Sequence, residues 1–331
     1  MTIKEKMIKF QEEFNPLFLS EVEKLLLEQK NFHPTHFDQI IDKAIIDYCK
    51  SGKRIRPFLI HFFAEKDLKN QQLHTLAIAS ELFHLAALLQ DDVIDESYLR
   101  RNVPTLNAVG NKLSKNNTKL GDHFGILLAD VFWTAAVEYV SALPADIFKE
   151  FITMIQRTVR GQYLDVIGMD QEYGTASVND VLARHDLKTA WYTFTSPARL
   201  GYMLRQNHNI QQLEVLSSMT RELGLLFQIR DDIIDCIDRG SGKPLFGDIF
   251  ENQTTWVTLY IKDNYPHKFI EILKAKESGG TGKLKSIFKD VDLITPYEKE
   301  FQKRKTLIIE IPHEHQNLKN KLLEVLELLK L

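Results

Sequence analysis

Two stretches gather acidic groups inside apolar surroundings: Leu88-Leu89-Gln90-Asp91-Asp92-Val93-Ile94-Asp95 and Phe227-Gln228-Ile229-Arg230-Asp231-Asp232-Ile233-Ile234-Asp235. Both read DDxxD. Residues four apart on a helix share a face, with Cβ atoms about 5–6 Å apart. Asp91 therefore lies beside Asp95, and Asp231 beside Asp235. Asp92 and Asp232 lie about 100° around the helix. Carboxylates this close repel and push one another toward protonation, a tension that bound cations relieve. Carboxylates without His or Cys select a hard ion, and few dedicated ligands select Mg²⁺, which keeps water and shares its other positions with phosphates. A solvated acidic face would explain one such cluster. Two copies, each flanked by Leu, Ile, Val and Phe, point to a diphosphate held between two helices by magnesium.

A diphosphate also needs cations on the faces magnesium does not cover. Lys53, Arg54 and Arg56 crowd a turn before a helix start, where backbone N–H groups favour anions. His84 lies seven residues before Asp91, on the same helix face. Arg100 and Arg101 follow one to two turns after Asp95. Lys188-Thr189 and Lys243 bracket the second cluster along the chain. Each alone is a solvated charge; together they suggest one anion site through metals and another through direct Lys and Arg contacts. Other motifs fail. Gly242-Lys243 and Gly282-Lys283 lack the rest of a phosphate-binding loop, and the pair His185-Asp186 lacks the further partners of a metal-dependent hydrolase site.

The elements that must carry these groups read as helices. Ile3, Met7, Phe10, Phe14, Leu17 and Val22 recur at helical steps over 3–30. A loop covers 31–36, a second helix 37–48, and Pro57 opens a third. Leu73–Glu96 is long, apolar and helical, and ends in the first acidic cluster. Asn102–Asp122 is polar and reads as a connecting loop. Helices follow at about 124–141, 145–167 and 178–205, and 209–237 carries the second cluster. Arg239–Asn252 reads as irregular, 254–263 as helix, 277–282 as a loop, and the chain from Leu284 as helix interrupted near Pro312. Strand-like alternation is nearly absent and nothing resembles a linker, so the expectation is a single all-α domain over 1–331.

Composition bounds the rest. The apolar and charged fractions, 44% and 26%, are those of an ordinary soluble globular protein. A net charge of -3 implies no general attraction to nucleic acid or membrane. No run approaches the roughly 18 apolar residues of a membrane span, and the N-terminus lacks a signal-peptide core. Cys49 and Cys236 form no metal or redox motif, which suits a reducing compartment. The expected location is the cytoplasm.

The chain resembles the trans-polyprenyl diphosphate synthases of the polyprenyl synthetase family, which have the isoprenoid synthase fold, a large antiparallel helix bundle around a central cavity. The resemblance runs from Gly52 to about Thr255. SGKRIRP is similar to the family's GGKRxRP, and LLQDDVIDESYLRRNVPT to its first aspartate-rich motif. GQYLDV at 161–166, KTAWYTF at 188–194, FQIRDDIID at 227–235 and GKPLFGD at 242–248 follow in family order. The resemblance implies that Asp91, Asp92, Asp95, Asp231 and Asp235 hold about three Mg²⁺ against an allylic diphosphate. By the same resemblance Arg100, Lys188 and Lys243 contact that diphosphate, while Lys53, Arg56, His84 and Arg101 bind isopentenyl diphosphate. Thr189 and Gln228 would face the developing allylic cation, with Gln162 and Phe227 nearby. The implied reaction is ionisation, condensation and elimination. A homodimer is the family's usual assembly, and a partner subunit of a two-component synthase is a further possibility.

The departures from the pattern are Ser51 and Asn102 for Gly, Gln90 for His, Ala129 for Gly, and Gln253 where many relatives carry a Lys on the allylic diphosphate. In the family, bulk four or five residues before the first motif stops the growing product. Those positions are Ala87 and Ala86, which leave the floor open. Phe83 lies one turn deeper, about 4.5 Å at roughly 1.5 Å per residue, and suggests a product of about twenty to twenty-five carbons. Phe132 and Trp133 could serve instead, or Phe83 could pack into the core away from the tunnel. The expectation is a geranylgeranyl-or-longer product, with farnesyl diphosphate synthase, a two-component catalytic subunit and a terpene cyclase as alternatives. A helical metal-binding scaffold without turnover would leave the basic motifs unexplained.

Overall fold

The computed structural model describes residues 1–115, 117–169, 172–206, 208–237, 245–278 and 280–331. Its elements are α1 (Ile3–Phe32), α2 (Asp38–Cys49), α3 (Ile55–Ala64), α4 (Gln71–Ile94), β1 (Leu99–Arg100), β2 (Val103–Pro104), α5 (Leu106–Leu113) and α6 (Thr118–Ser141). There follow α7 (Ala145–Met169), α8 (Val178–His185), a π-helical segment (Asp186–Thr195), α9 (Ser196–Met203), α10 (Ile210–Cys236), α11 (Gly247–Phe250) and α12 (Trp256–Asn264). The chain ends in α13 (Pro266–Glu277), α14 (Thr281–Phe288), α15 (Ile294–Ile309), a single 3₁₀ turn (His313–His315) and α16 (Gln316–Glu327). The all-α expectation holds.

Contacts gather the chain into two compact units, Met1–Ile152 with Leu200–Asn207, and Thr153–Arg199 with His208–Leu331. In the first, α4 is the core helix and packs against α3, α5 and α6. Asn70 starts it by accepting the Leu73 N–H, satisfying one of the donors every helix start leaves over. Leu73, Leu76, Ile78, Leu82, Phe83, Leu85 and Leu89 are buried around its circumference, the pattern of a helix enclosed on all sides. In the second unit α10 has that role and packs against the π-helical segment, α12, α15 and α16. Asn209 caps it.

Two expectations are revised. The polar stretch 102–122 is not a loop: it holds β2, α5 and the start of α6. Its polarity misleads because Asn107 and Asn111 are buried side chains rather than solvated ones. The expectation that no run reaches membrane-spanning length also fails, since α4 and residues 119–141 of α6 are each long and apolar enough by composition. The apolar window of α4 is 67% buried, as befits a core helix, whereas that of α6 is only 33% buried.

The long helix expected over 178–205 is continuous but not uniformly α. The backbone loosens to π geometry from Asp186 to Thr195 and then tightens again in α9. A stretch of π geometry inside a helix often marks a functional position, and this one, of 10 residues, carries Lys188 and Thr189. Of the irregular stretch expected over 239–252, α11 and its flanks are seen, while 238–244 lie outside the described residues and with them Lys243.

Candidate active site

In the first unit α4 ends on the acidic cluster itself. Ile94 is the last helical residue, and the Asp95 N–H closes the helix on the Asp91 carbonyl at 2.8 Å. Asp91 and Asp95 are half-buried. Asp92 differs: 1% exposed, it accepts from the Tyr48 hydroxyl on Oδ2 at 2.5 Å and from Arg100 Nε on Oδ1 at 2.6 Å. Burial raises the Asp92 pKa, and the Arg100 charge opposes that. Arg100 also reaches Asp91 with Nη2 at 3.4 Å. The sequence places Arg100 farther along the helix; instead the chain reverses in a hairpin, with Leu99 opposite Pro104 and Arg100 opposite Val103. Arg101 and Asn102 form its two-residue turn, both with positive φ, 53° and 64°, the conformation such turns demand.

The basic turn is held by Arg54, a residue the family pattern does not single out as a ligand. It sits buried at φ 50° before α3. Its guanidinium pairs with Glu81 at 2.6 Å, donates to Asn15 at 2.8 Å and to the Cys49 carbonyl, and lies over the Phe18 ring. Lys53 is exposed, and its carbonyl accepts from Gln11 at 2.6 Å. Arg101 donates to the Ser51 carbonyl. A small pocket brings together Tyr48, Arg54, Glu81, His84, Arg100 and Arg101. Burial, with Arg56 and Arg101 nearby, keeps His84 neutral, so in the pocket it offers a neutral imidazole beside the arginines.

In the second unit the cluster repeats this arrangement. Asp231 is exposed and Asp235 half-buried. Asp232 is buried and accepts from Gln228 Nε2 at 2.8 Å and from the Trp256 N–H at 3.1 Å. Burial pushes its pKa up to about 7. Asp235 accepts the N–H groups of Gly247 and Asp248 at 3.1 and 3.4 Å, and burial lifts it to about 6.

Lys188 pairs with Asp165, which Arg184 also meets at 3.2 Å. The π turn bearing Lys188 and Thr189 lies between two glycines. A Cβ on Gly161 of α7 would stand 2.3 Å from the Lys188 nitrogen, and one on Gly224 of α10 would stand 2.5 Å from the Ala190 Cα. Phe227 packs on Phe194 at 5.3 Å. His185 faces Asp232 at 3.7 Å while Asp186 pairs with Arg221 at 2.8 Å; these contacts give that pair a packing role. Gln253 is buried with both amide atoms unpaired.

Among the described residues no three His, Cys, Asp or Glu side chains converge to hold a metal by themselves. The donor set still fits Mg²⁺, which takes one or two carboxylates and completes its shell with water and substrate oxygens. Within each triplet burial is uneven: Asp91, Asp95 and Asp235 are half-buried and Asp231 is exposed, whereas Asp92 and Asp232 are buried. Sequence reasoning missed Tyr48, Glu81, Asp165 and Arg184, and it read Arg54 as part of an anion site where the structure buries it against Glu81. Asp165 stands inside a motif, but Tyr48 lies 44 residues from its partner with nothing local to mark it.

The model of the polyprenyl synthetase family matches residues 38–291. A prenyl transferase of Synechocystis is 28% identical over 223 residues, covering 65% of this chain and 64% of that one. Component 2 of the heptaprenyl diphosphate synthase of Geobacillus stearothermophilus is 29% identical over 218 residues, with 63% and 62% covered. The chain thus spans a little under two thirds of these relatives' lengths. The crystal structure of a geranylgeranyl pyrophosphate synthase from Corynebacterium glutamicum, complexed with isoprenyl diphosphate and magnesium, superposes with a TM-score of 0.75 at 22% identity, over 95% of this chain and 98% of that one. That likeness establishes the isoprenoid synthase fold. With the family match covering most of its length, the chain belongs to the polyprenyl synthetase family of prenyltransferases.

Proposed function

We propose that both units act as one polyprenyl synthetase domain over 1–331, a trans-prenyl diphosphate synthase that joins isopentenyl diphosphate to an allylic diphosphate. The observation that carries this reading is the repeated helix-end cluster, in which the middle aspartate is buried and hydrogen-bonded while the outer pair stays accessible. Asp91, Asp95, Asp231 and Asp235 are the candidate magnesium ligands, for about three ions; Asp92, expected among them, has both carboxylate oxygens taken by Tyr48 and Arg100 instead. Bound magnesium supplies the positive charge that draws the leaving diphosphate away.

The side chains do the rest. Arg100 and Lys188 hold the allylic diphosphate, and Lys243 joins them in the family pattern. Lys53, Arg56, His84 and Arg101 hold the diphosphate of isopentenyl diphosphate. Thr189 and Gln228 turn oxygen toward the developing allylic cation, with Gln162 and Phe227 beside them. Such fixed dipoles, with water excluded, stabilise charge as it forms.

For product length, Ala86 and Ala87 leave the path beneath Asp91 and Asp92 open. Phe83 then meets Trp133 and Phe151 edge-on at 5.3 and 6.2 Å, an aromatic wall that supports a geranylgeranyl-or-longer product. The likeness to a synthase component from Geobacillus supports a second reading, the catalytic subunit of a two-component enzyme. The exposed apolar face of α6 supports a homodimer, and the cytoplasm is the proposed location. The test is purified protein with Mg²⁺, labelled isopentenyl diphosphate and farnesyl diphosphate. A product ladder ending sharply supports the first reading. No incorporation with farnesyl, geranyl or geranylgeranyl primers defeats it, and activity restored by a partner subunit would establish the second.

A further inference from the structure

Asp92 is the most enclosed group in the first cluster. Its Oδ1 receives Arg100 Nε at 2.6 Å, its Oδ2 receives the Tyr48 hydroxyl at 2.5 Å, and its main-chain carbonyl receives the Ser97 N–H at 2.8 Å. A carboxylate can rotate about its last bond, and a single arginine contact does not stop it. A second donor on the other oxygen does. Tyr48 comes from α2 and is 6% exposed; burial raises its pKa, so the hydroxyl keeps its proton and donates. Arg100 bonds to Asp92 through Nε and reaches Asp91 with Nη2 at 3.4 Å, which leaves its other terminal N–H groups to be directed elsewhere.

We infer that Tyr48 is a positioning residue that fixes the Asp92 carboxylate and through it aims the Arg100 guanidinium at the allylic diphosphate. The inference rests on the proposed role of Arg100. Tyr48 touches no substrate in this scheme; it acts two hydrogen bonds away. It also belongs to the pocket that holds His84 and Arg101, so a merely structural role would disturb both diphosphate sites alike. A positioning role disturbs only one.

That difference is the test. In Tyr48→Phe the KM for farnesyl diphosphate, and the dissociation constant for inorganic pyrophosphate measured by calorimetry with Mg²⁺, are expected to rise about 10-fold, the worth of a hydrogen bond to a charged group. The KM for isopentenyl diphosphate is expected to stay within about twofold. In an Asp92→Asn background the same substitution is expected to add nothing to the pyrophosphate constant. An unchanged constant in folded Tyr48→Phe overturns the inference, as does an equal rise for both diphosphates. If Tyr48→Phe does not fold, Tyr48→Met fills the space with an unbranched side chain that carries no donor and is expected to give the same selective rise. An equal rise for both ligands in that variant overturns the inference in the same way. Wild-type protein that binds pyrophosphate without condensing substrates counts against the proposed function alone, because the calorimetric comparison does not depend on turnover.

Discussion

Phe83 shows how much a single residue can decide. It is fully buried, one turn below two alanines, with its ring set edge-on against Trp133 and Phe151. If those rings close the path of the growing product, Phe83→Ala lengthens the main product by at least one five-carbon unit, as read by chromatography of the dephosphorylated alcohols. An unchanged product, with only the roughly 3–5 kcal/mol stability loss of a buried Phe truncation, would place Phe83 in the core and nowhere else. The acidic and basic groups of the site were legible in the sequence because their chemistry is local: a DDxxD on a helix states its own geometry. What was not legible is the division within each triplet. Asp91 and Asp92 are adjacent and identical in type, and Asp92 is held by Tyr48, arriving from another helix, together with Arg100 from the hairpin. Gln253 is similar. Its lost charge was visible in the chain, but not the burial of an amide with neither end paired.

Elements carry the next layer. The π-helical segment Asp186–Thr195 brings the backbone of Leu187 and Lys188 up against Gly161, where a side chain would meet backbone rather than a flexible tip. Gly161→Ala is therefore expected to cost about 1–3 kcal/mol, the usual penalty of overpacking, and to depress turnover by shifting Lys188. Gly282→Ala, whose Cβ meets nothing within 4 Å, is the control expected to leave both intact. The junction of α8 with the π turn also has a pH signature. Burial lowers the His185 pKa to about 3, against about 6.5 in an unfolded chain. Below that value the unfolded chain takes up a proton the folded one refuses, so stability is lost as pH falls. Wild type should lose about 2 kcal/mol more than His185→Gln between pH 7 and pH 5, by denaturant unfolding. Equal losses would mean that His185 is charged in the folded state. Helix positions followed from apolar periodicity, which does not distinguish an α turn from a π turn. The stretch 102–122 escaped for another reason: its helices bury asparagine, so polarity there did not mean solvent.

At the scale of the molecule, what is conspicuous is apolar surface left uncovered. On α6, Leu120, Ile126 and Leu127 are exposed, Leu127 by 64%. Isolated exposed leucines need no explanation, but a row on one helix marks a contact surface. If the surface joins two copies, Leu127→Asp is expected to convert a dimer to a monomer by light scattering with helix content unchanged. A wild-type monomer would dispose of that idea. The all-α class was readable from composition and period. The two compact units were not, since no linker separates them in the chain and the first includes Leu200–Asn207 as well as Met1–Ile152.

The hairpin after the first cluster has a consequence for which changes this chain can absorb. Between Asp92 and Arg100 the contacts are made by backbone: the Ser97 N–H on the Asp92 carbonyl, and the Ser97 carbonyl taken by Thr105 and Asn107 at 2.7 and 3.3 Å. Side chains at Tyr98 and Leu99 are exposed and free to vary, whereas Glu96, also exposed, sits at φ 49° and resists β-branched replacements. Neighbouring strand positions point to opposite faces, so one residue gained or lost there would present Leu99 or Arg101 to Asp92 in place of Arg100. The segment behaves as a ruler whose markings can be repainted but whose length is frozen.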